Sequence, residues 1–459
     1  MPRKSKRAHI PQGEFTCKIN QLSHEGRGVA DMNGKKTFIF GGLSDETVEF
    51  KYTNTHRSYD EGAVTRVIEA AKDRVTPQCE YFGVCAGCSL QHLSTEGQLK
   101  HKEKILLEHF KHQAHCEPKV LLAPIQGNAW HYRRKARLSV KHVPGKNKVL
   151  MGFREHDPRF IANISHCAVL DERVGNNLSN FSDLLMQLDA KNTIPQIEIA
   201  IGDNLTAIII RHLEPLSEKD LKLLIEFTNQ NQYQLYLQPG NYDSIYCIKN
   251  NYAEEKLYYD LEQYQLRFYF HPTQFIQVNA DINKKMIVRA IELLDLNSND
   301  VILDLFCGIG NFSLPLAQLA KKVIGVEGSQ SAITQAQKNA DDNKINNIEF
   351  YVHDLTKNCG SESWAKQAVS KVLLDPPRAG AAELMPYFST LKPSRIVYVS
   401  CNPITLARDA KTLLDLGYTL DKAGVMDMFP HTEHVEAIAL FSRADEKIDE
   451  SIKSMDRKS

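Results

Sequence analysis

The sequence predicts an α/β fold whose main part is a doubly wound, Rossmann-like domain. Between residues 301 and 399, short apolar runs alternate with stretches of helical character. A run of that length is typical of a buried strand, and strands that alternate with helices are typical of a parallel sheet. Polar residues follow each run, and the carboxyl ends of parallel strands meet at one edge of a sheet. The sequence therefore predicts a ligand-binding crevice at that edge.

The first of these runs leads into a tight glycine turn. Val301 to Leu305 is followed by Gly308 and Gly310, and such a turn before a helix brings the backbone close to a nucleotide-like ligand. The glycine pair alone is also typical of any tight turn between a strand and a helix. The second run, Lys322 to Val326, ends at Glu327, whose carboxylate can accept hydrogen bonds from both hydroxyls of a ribose.

The later runs end in polar groups that suggest chemistry. They are followed, in order, by Asp354, by Asp375-Pro376-Pro377-Arg378 and by Ser400-Cys401-Asn402-Pro403. The third glycine of a dinucleotide fingerprint is missing after Gly310, and Asp-Pro-Pro occurs late in the domain. Both observations favour S-adenosylmethionine over a dinucleotide as the ligand.

Composition limits the classes of protein that the chain can belong to. A length of 459 residues corresponds to about three domains. The formal net charge of zero gives no argument for a polyanionic partner, although phosphate contacts depend on local patches. No apolar run approaches the roughly 20 residues of a membrane-spanning helix, and Met1 to Arg7 lacks the apolar segment of a signal peptide. We therefore expect a cytoplasmic protein without membrane contact, whose cysteines form no disulfide framework.

Changes of pattern divide the chain into regions. We expect a basic disordered tail over residues 1–12, an OB-like β-barrel over residues 13–72, a β-rich central domain over residues 73–272, the Rossmann-like domain over residues 273–443 and a charged tail over residues 444–459. Short alternating segments separated by glycine turns indicate the barrel. Such barrels commonly bind oligonucleotides, and a purely structural module is the alternative.

The central domain begins with a cluster of cysteines. Cys79, Cys85 and Cys88 lie close together in sequence, and Cys167 is the natural fourth ligand. Four thiolates fit either a tetrahedral zinc ion or a [4Fe–4S] cluster. Zinc sites usually combine two short cysteine pairs, so the arrangement of three plus one favours iron–sulfur. Unrelated buried cysteines are the alternative, and radical chemistry is disfavoured because its Cys-x3-Cys-x2-Cys spacing is absent.

A basic run with aromatic residues follows, over residues 130–137. Aromatic rings can stack on unpaired bases, and Arg or Lys side chains can hold phosphates. A solvated basic strand is the alternative interpretation. Farther along, Phe275-Ile276-Gln277-Val278-Asn279 leads into an amphipathic helix that ends near Leu294.

Cys401 and Glu436 are the candidate catalytic residues. Uracil C5 is a poor nucleophile, but a thiolate that adds at C6 turns the base into an enolate whose C5 can attack an electrophilic methyl group. A general base must then remove the C5 proton so that the thiol can leave. Cys401 stands at a strand end, whereas a buried structural cysteine is the alternative. His431, Asp427 and His434 are further candidates for the base.

These motifs together resemble the RNA uracil-5-methyltransferases, and more closely the branch that acts on 23S ribosomal RNA. The resemblance is carried by residues 275–279, by Asp-Leu-Phe-Cys-Gly-Ile-Gly-Asn-Phe (304–312), by Asp-Pro-Pro-Arg-Ala-Gly (375–380), by Val-Ser-Cys-Asn-Pro (399–403) and by His-Val-Glu (434–436). The cysteine quartet and an N-terminal barrel that is similar to the TRAM domain extend it over nearly the whole chain. The transfer-RNA branch typically lacks both.

The resemblance implies a role for each site residue. Cys401 would be the nucleophile and Glu436 the base, with Arg378 near the substrate. S-adenosylmethionine would be bound by Gln277, Phe306, Asn311, Glu327, Asp354 and Asp375. A [4Fe–4S] cluster would be held by Cys79, Cys85, Cys88 and Cys167. Related enzymes can carry Asn in place of Asp354. The resemblance also implies 23S ribosomal RNA as the partner, and we expect a monomer.

Other functions remain open from the sequence. Within the family, transfer RNA could be the substrate. An amino-group methyltransferase is suggested by Asp375-Pro376-Pro377, although Arg378 stands where that motif has an aromatic residue. An iron–sulfur RNA-binding protein with a vestigial methyltransferase domain is the non-enzyme alternative, and the intact set of residues at the strand ends argues against it.

Overall fold

The computed structural model describes residues 10–443, so most of the two predicted tails lies outside the described residues. The chain forms two compact units. The first contains the chain up to Lys102, Arg154–Ala162 and Phe429–Glu433, and the second contains Glu103–Phe153, Asn163–Met428 and the chain from His434. Among residues 10–443, no helix has both the length and the apolar character that crossing a membrane requires. The domain boundaries expected from the sequence stay predictions.

The first unit is built around a six-stranded sheet. Its strands are β1 (Phe15–Lys18), β2 (Gln21–Leu22), β3 (Gly28–Met32), β4 (Lys35–Phe40), β5 (Thr47–Thr55) and β6 (Tyr59–Glu69), in the order β1-β5-β6-β4-β3-β2. Ile19, Ile39, Val48 and Phe50 are fully buried in its core. At Gly62, a Cβ atom would lie 2.6 Å from Phe50 Cδ2, so close packing requires glycine there. The short strands are confirmed, and closure into a barrel stays a prediction.

A buried carboxylate joins this sheet to the segment that leads to the cysteines. Burial would raise the pKa of Glu46, but Arg74 and the backbone N–H groups of Leu43 and Ala71 outweigh it and lower the pKa. The Arg74 Nη2 atom lies 2.7 Å from Glu46 Oε2. Because the ion pair is also hydrogen-bonded to backbone, its desolvation is compensated.

Phe429–Glu433 completes the first unit from the far end of the chain. The backbone N–H groups of Ser89 and Leu90 both donate to the His431 carbonyl at 2.9 Å. Gln98 Oε1 accepts from the His431 N–H at 2.8 Å, and the Glu433 N–H donates to Ser89 Oγ at 3.0 Å. The residues directly after Cys88 are therefore held by a segment that is distant in sequence, since Ser89 and Glu433 are 344 positions apart.

Helix α1 (Thr95–His109) continues into a π-helical turn, Phe110–Ala114.

In the second unit, the first sheet has the order β13-β12-β11-β10-β8-β9. Its strands and the helices between them are β8 (Lys135–Val143), β9 (Lys148–Gly152), α2 (Glu172–Gly175), α3 (Leu178–Gln187), β10 (Gln196–Ile201), β11 (Thr206–Arg211), α4 (Glu218–Gln230), β12 (Tyr233–Gln238) and β13 (Tyr246–Cys247), preceded in the chain by β7 (Val120–Leu121). From the sequence we predict a β-rich central domain and not the helices α3 and α4, although their apolar residues recur at helical spacing.

The main sheet of the second unit has the order β18-β17-β16-β19-β20-β22-β21-β7. After the hairpin β14 (Leu257–Leu261) and β15 (Leu266–Phe270), its elements are α5 (Ala280–Leu294), β16 (Val301–Leu305), α6 (Ser313–Ala317), β17 (Lys322–Glu327), α7 (Gln330–Asp342), β18 (Ile348–Val352), β19 (Lys371–Leu374), α8 (Phe388–Leu391), β20 (Arg395–Ser400), α9 (Pro403–Asp415), β21 (Tyr418–Met426) and β22 (Glu436–Arg443). Strands β16 to β20 run parallel, and β22 runs antiparallel to β20. This confirms the predicted doubly wound sheet.

The chain reverses its direction of winding at β16. It proceeds from β16 to β17 and β18 on one side, then returns to β19 and β20 on the other. Such a switch point opens a crevice outside the carboxyl ends of the strands, which is where open α/β sheets bind ligands. The predicted polar residues at strand ends therefore border this crevice.

Candidate active site

The turn after β16 adopts an unusual backbone conformation. Phe306, Gly308 and Gly310 all have positive φ angles, of 64°, 56° and 92°. The Phe306 N–H donates to the Val326 carbonyl at 2.9 Å, which fixes the turn against β17. A Cβ atom at Gly310 would lie 2.5 Å from Leu314 Cδ1. A non-glycine residue at positive φ is uncommon and concentrates at functional sites, which makes Phe306 a feature of the crevice.

Glu327 is held at the end of β17 by two backbone amides. Its Oε2 atom accepts from the Gly308 N–H at 3.3 Å, and its Oε1 atom accepts from the Ser329 N–H at 3.0 Å. Ser329 also caps helix α7 by accepting from the Ala332 N–H at 3.3 Å. The carboxylate thereby faces the glycine turn, with lone pairs left for a ligand's hydroxyl groups.

Two more acids lie at the same strand ends. Burial and, less strongly, the charges of Asp375 and Glu327 raise the pKa of Asp304 to about 7, although the hydrogen bond from Ser313 opposes them. Asp304 Oδ2 accepts from Ser313 Oγ at 2.5 Å. Burial also raises the pKa of Asp375, at the end of β19, to about 7. The crevice therefore concentrates carboxyl groups whose ionisation is disfavoured by burial, an arrangement common at functional sites.

Asn311 belongs to a hydrogen-bonded group that the sequence did not reveal. Tyr259 Oη donates to Asn311 Oδ1 at 2.9 Å, and Asn283 Nδ2 donates to the same oxygen at 3.0 Å. Asn311 Nδ2 donates in turn to Asn283 Oδ1 at 2.9 Å. Tyr259 and Asn283 line a recess together with Gln277. The structure thus brings Gln277 and Asn311 to one place through two residues of β14 and α5.

The Asp354 side chain forms hydrogen bonds within the turn that contains it. Its Oδ1 atom accepts from the Thr356 hydroxyl at 2.7 Å and from the Thr356 N–H at 3.1 Å. Its Oδ2 atom lies 3.2 Å from Lys357 Nζ. The Thr356 bonds, and after them Lys357, lower the pKa of this exposed carboxyl. Its proposed contact with a ligand would have to be made in addition to these local bonds.

The pairing of β20 with β22 brings Cys401 and Glu436 close together in space. Ser400 pairs with Ala437 in this antiparallel ladder. Cys401 directly follows Ser400, and Glu436 directly precedes Ala437, so the two residues lie at the same end of this ladder. Two residues that are far apart in sequence therefore lie close together at the end of this strand pair.

The electrostatics of Cys401 agree with that placement. Burial and, after it, the charges of Glu436 and Asp375 raise the pKa of the thiol to about 11, although the charge of Arg378 opposes them. A thiol with such a pKa is protonated at neutral pH, so it has to lose its proton as it attacks. Arg378 also approaches His434, with 3.4 Å between Nη2 and Nδ1.

Helix α9, which begins just after Cys401, holds the loop that carries Arg378. Asn402 Nδ2 donates to the Arg378 carbonyl at 3.0 Å, and Arg408 Nη2 donates to the Ala379 carbonyl at 2.9 Å. The buried Asp409 accepts from the Ala381 N–H at 2.7 Å. Asp409 is a charged residue on the apolar face of an amphipathic helix, which is the one sequence signal that could have pointed to it.

The other candidates for the base have different surroundings. Asp427 is buried, and its N–H donates to the Ile125 carbonyl at 2.8 Å. His431 belongs to the first unit, where Gln98 holds it. His434 faces Arg378. Glu436 is the candidate whose charge acts on the Cys401 thiol.

The four cysteines of the predicted metal site divide between the units. Cys79, Cys85 and Cys88 lie half-buried in the first unit, and Cys167 belongs to the second. The Gly87 N–H donates to Cys85 Sγ at 3.4 Å. Within the described residues, no three His, Cys, Asp or Glu side chains are grouped so that they could hold a metal ion. The four-cysteine site therefore remains a prediction.

The basic run near β8 is engaged within the second unit. Arg134 pairs with Asp203 at 2.5 Å, and Arg137 pairs with Glu198 at 3.1 Å. Lys135 Nζ donates to the Gln274 carbonyl, and burial lowers the pKa of Lys135 to about 8. The run therefore contributes to the packing of this unit, and its phosphate contacts stay a prediction.

Comparison with known proteins identifies the family. The sequence profile of the family described as tRNA (Uracil-5-)-methyltransferase matches residues 94–444. The chain belongs to this family. Its fold is that of the class I methyltransferases. A crystal structure of the Pyrococcus abyssi tRNA (uracil-54, C5)-methyltransferase in complex with S-adenosyl-L-homocysteine superposes on it with a TM-score of 0.70. The two sequences are 22% identical, and the match covers 93% of this chain and 100% of that one.

Among the uracil-5-methyltransferases, similar relatives carry a more specific name. The 23S rRNA (uracil(1939)-C(5))-methyltransferase RlmD of Legionella pneumophila (strain Paris) is 46% identical over 93% of this chain and 97% of its own length. The protein of the same name from Alcanivorax borkumensis is 46% identical over 96% of this chain and 99% of its own.

Proposed function

We propose that the protein transfers a methyl group from S-adenosylmethionine to C5 of a uridine in 23S ribosomal RNA. The relatives that share 46% of its residues over nearly the whole chain carry this activity in their names. The observations that support the chemistry are the pairing of Ser400 with Ala437, the neighbours of Cys401 and Glu436 in the chain, and the effect of the Glu436 charge on the Cys401 thiol. Uracil C5 methylation needs one nucleophile and one base at a single crevice.

The proposed reaction begins at Cys401. Its sulfur forms a bond to C6 of uracil as the thiol proton passes to solvent, and the C5–C6 π electrons move into an enolate. S-adenosylmethionine supplies an electrophilic methyl group, which C5 attacks, and S-adenosylhomocysteine leaves as the bond between sulfur and the methyl group breaks. Glu436 then removes the C5 proton, the electron pair of that C–H bond re-forms the C5–C6 double bond, and the thiolate leaves. The positive charge of Arg378 beside Cys401 favours the thiolate both when the sulfur attacks C6 and when it leaves.

We also propose that Gln277, Phe306, Asn311, Glu327, Asp354 and Asp375 bind S-adenosylmethionine. Glu327, held by the amides of Gly308 and Ser329, suits the ribose hydroxyls, because a carboxylate only accepts hydrogen bonds. The turn around Phe306 leaves room for the nucleoside next to the backbone, since a Cβ atom at Gly308 would meet nothing within 4 Å.

For the cysteines, we propose a [4Fe–4S] cluster held by Cys79, Cys85, Cys88 and Cys167. The donor set of four thiolates fits such a cluster. The Gly87 N–H, which donates to Cys85 Sγ, would stabilise a thiolate ligand because amide hydrogen bonds to sulfur tune these clusters. No step of methyl transfer is assigned to the cluster. An N-terminal RNA-binding TRAM barrel, a cytoplasmic location and a monomeric state stay predictions as well.

The decisive experiment uses RNA that contains 5-fluorouridine. The base cannot remove fluorine as it removes a proton, so the adduct between Cys401 and C6 should be trapped and migrate as a shifted band on a denaturing gel. A 23S ribosomal RNA fragment and a transfer RNA should be compared side by side, with Cys401→Ala as the control. If the adduct forms on transfer RNA alone, the substrate is transfer RNA and not 23S ribosomal RNA. Methylation without any adduct would favour the amino-group chemistry suggested by Asp-Pro-Pro.

A further inference from the structure

One face of the first sheet of the second unit carries a row of polar side chains. Ser139 of β8 pairs with Gln196 of β10, Gln196 pairs with Arg211 of β11, and Arg211 pairs with Gln238 of β12. Residues that pair across neighbouring strands point to the same face of a sheet, and such strands lie about 5 Å apart. The four side chains therefore form a continuous row across the sheet.

Helices α3 and α4 cover the opposite face of this sheet. The ring of Tyr233, the first residue of β12, lies 6.0 Å from the ring of Phe181 on α3 and 6.3 Å from the ring of Phe227 on α4. Successive side chains of a strand point to opposite faces, so Gln238, five positions after Tyr233, points away from both helices. The polar row is thus free of these helices, and Arg211 in it keeps part of its surface exposed.

Two atoms of this row are buried without a hydrogen bond. Gln238 is 2% exposed, and its Oε1 atom has no partner among residues 10–443. The Nε atom of Arg211 is also buried and has no partner in the same part of the chain. Buried polar groups are normally hydrogen-bonded, and the exceptions point to an additional partner outside the chain. Because one atom accepts and the other donates, that partner has to offer both a donor and an acceptor.

An acid on the same face, Glu198, is already engaged by other residues. It is 6% exposed and accepts from Arg137 Nε at 3.1 Å, from Gln196 Nε2 at 2.7 Å and from Tyr242 Oη at 2.9 Å. The charge of Glu198 is therefore compensated by Arg137. The positive charge of Arg211 remains for an anion.

One nucleotide of an RNA backbone meets these requirements. The planar guanidinium group suits phosphate, whose oxygens it can bind in pairs. The Gln238 oxygen needs a donor, and the ribose 2′-hydroxyl is a donor that RNA has and DNA lacks. Arg137 and Lys141, both exposed on β8, add positive charge for neighbouring phosphates. The ring of Tyr242, which is 46% exposed, offers a surface on which a base can stack.

We propose that Arg211 and Gln238 form a binding site for a ribonucleotide of the substrate RNA other than the methylated uridine. Arg211 binds the phosphate, and Gln238 Oε1 accepts from the 2′-hydroxyl. The proposal rests on the proposed function, because it takes RNA as the partner, and it deepens that function by assigning a sugar-selective contact to this sheet. The site selects RNA over DNA without contacting the reacting base.

The test measures binding of two probes to the full-length protein by fluorescence anisotropy at several salt concentrations. The probes are a 23S ribosomal RNA fragment and the same sequence with 2′-deoxyribose throughout. Arg211→Gln should weaken binding of both probes and reduce the slope of log affinity against log salt by about 0.7, the value for one phosphate of a single strand. Gln238→Met keeps the size of the side chain and removes the acceptor. It should weaken RNA binding roughly 3- to 10-fold, the size of one hydrogen bond, and leave binding of the deoxy probe unchanged.

The matched control is Lys222→Gln, which also removes one positive charge. Lys222 is exposed on α4, the helix on the opposite face of the sheet, so this variant should bind both probes as the unaltered protein does. The melting temperature of Gln238→Met should not fall, because the acceptor that is removed has no partner in the protein. A lower melting temperature would show that Gln238 serves folding, which would overturn its role in the site.

The outcomes separate this site from the proposed function. If the unaltered protein does not bind the RNA fragment, the proposed substrate is wrong and the site falls with it. If the unaltered protein binds RNA but Arg211→Gln and Gln238→Met bind both probes as Lys222→Gln does, only the site is overturned. If Arg211→Gln weakens both probes while Gln238→Met weakens neither, the site binds phosphate without reading the sugar, and the assignment of the 2′-hydroxyl to Gln238 is overturned.

Discussion

At the scale of single residues, the Cys401 thiol is held in a state that resists ionisation. Burial and the charges of Glu436 and Asp375 raise its pKa to about 11, and Arg378 lowers it. In the protein without RNA, alkylation by iodoacetamide should therefore accelerate with pH up to about that value, because only the thiolate reacts. A change of one pKa unit alters the thiolate fraction about tenfold.

The two charged neighbours should shift this profile in opposite directions. Glu436→Gln removes a negative charge, so the pKa should fall and alkylation at pH 8 should become faster. Arg378→Gln removes a positive charge, so the pKa should rise and alkylation should become slower. Mass spectrometry of the Cys401 peptide measures both rates. Shifts of the same sign in both variants would contradict the proposed arrangement.

The separate roles of the two catalytic residues predict different failures. Cys401→Ala should bind both substrates without forming an adduct or transferring a methyl group. Glu436→Gln should still methylate C5 but lose the base for the C5 proton, so a covalent complex with methylated RNA should accumulate. A general base contributes about 10²- to 10⁴-fold, so turnover should be slow rather than absent. Normal turnover without a trapped band would direct attention to His434 or Asp427.

Residues differ in how far the sequence alone could assign them. Cys401 and Asp375 stand in motifs that follow strands, Glu436 stands in a motif at the start of β22, and the charges of both acids act on the Cys401 thiol. Tyr259 and Asn283 have no such signal, and Asp409 has only its place on the apolar face of α9, because the roles of the three depend on partners 52, 28 and 28 positions away. A contact of that kind is fixed by tertiary packing, which no local pattern encodes.

At the scale of elements, helix α9 acts as the support for the Arg378 loop. Asp409→Asn should weaken its bonds to the Ala381 N–H and to Tyr398 Oη, both 2.7 Å long. We expect a loss of about 1 to 3 kcal/mol in the free energy of unfolding, since a buried charged acceptor is replaced by a neutral one. Alkylation of Cys401 should also slow as Arg378 loses its position.

The matched control lies on the same helix. Asp415 is exposed at the last position of α9, and Asp415→Asn should leave both stability and alkylation unchanged, within about 0.5 kcal/mol for the stability. Chemical denaturation measures the first quantity and peptide mass spectrometry the second. An equal loss in both variants would show that the carboxylate of Asp409 has no special role.

Strands with local signals were predictable, and strands made by distant pairing were not. The runs Val301–Leu305 and Ile348–Val352 have the predicted bounds, because short runs rich in apolar, β-branched and aromatic residues mark strands. Strand β7 has only two exposed residues, Val120 and Leu121, and exists because it pairs with β21. Helices α3 and α4 were missed because the strands around them dominated the pattern.

At the scale of the whole molecule, the cysteines give the sharpest prediction. Protein purified without oxygen should be brown and contain about four irons per chain. Cys85→Ser should lose the iron and much of the soluble yield, because metal ligation is coupled to folding. Cys116→Ser, at a cysteine outside the quartet, is the control and should keep both. Stoichiometric zinc without iron in such a preparation would contradict the cluster.

The passage of Phe429–Glu433 into the first unit has a consequence for synthesis on the ribosome. The sheet of β1 to β6 can pair as soon as it emerges, because all its strands lie near the start of the chain. The residues after Cys88 gain their partners at His431 and Glu433 only after more than three hundred further residues have been synthesised. Loop closure over such a distance is slow compared with local pairing. The segment after Cys88 therefore stays without these bonds while the 344 positions between Ser89 and Glu433 are synthesised.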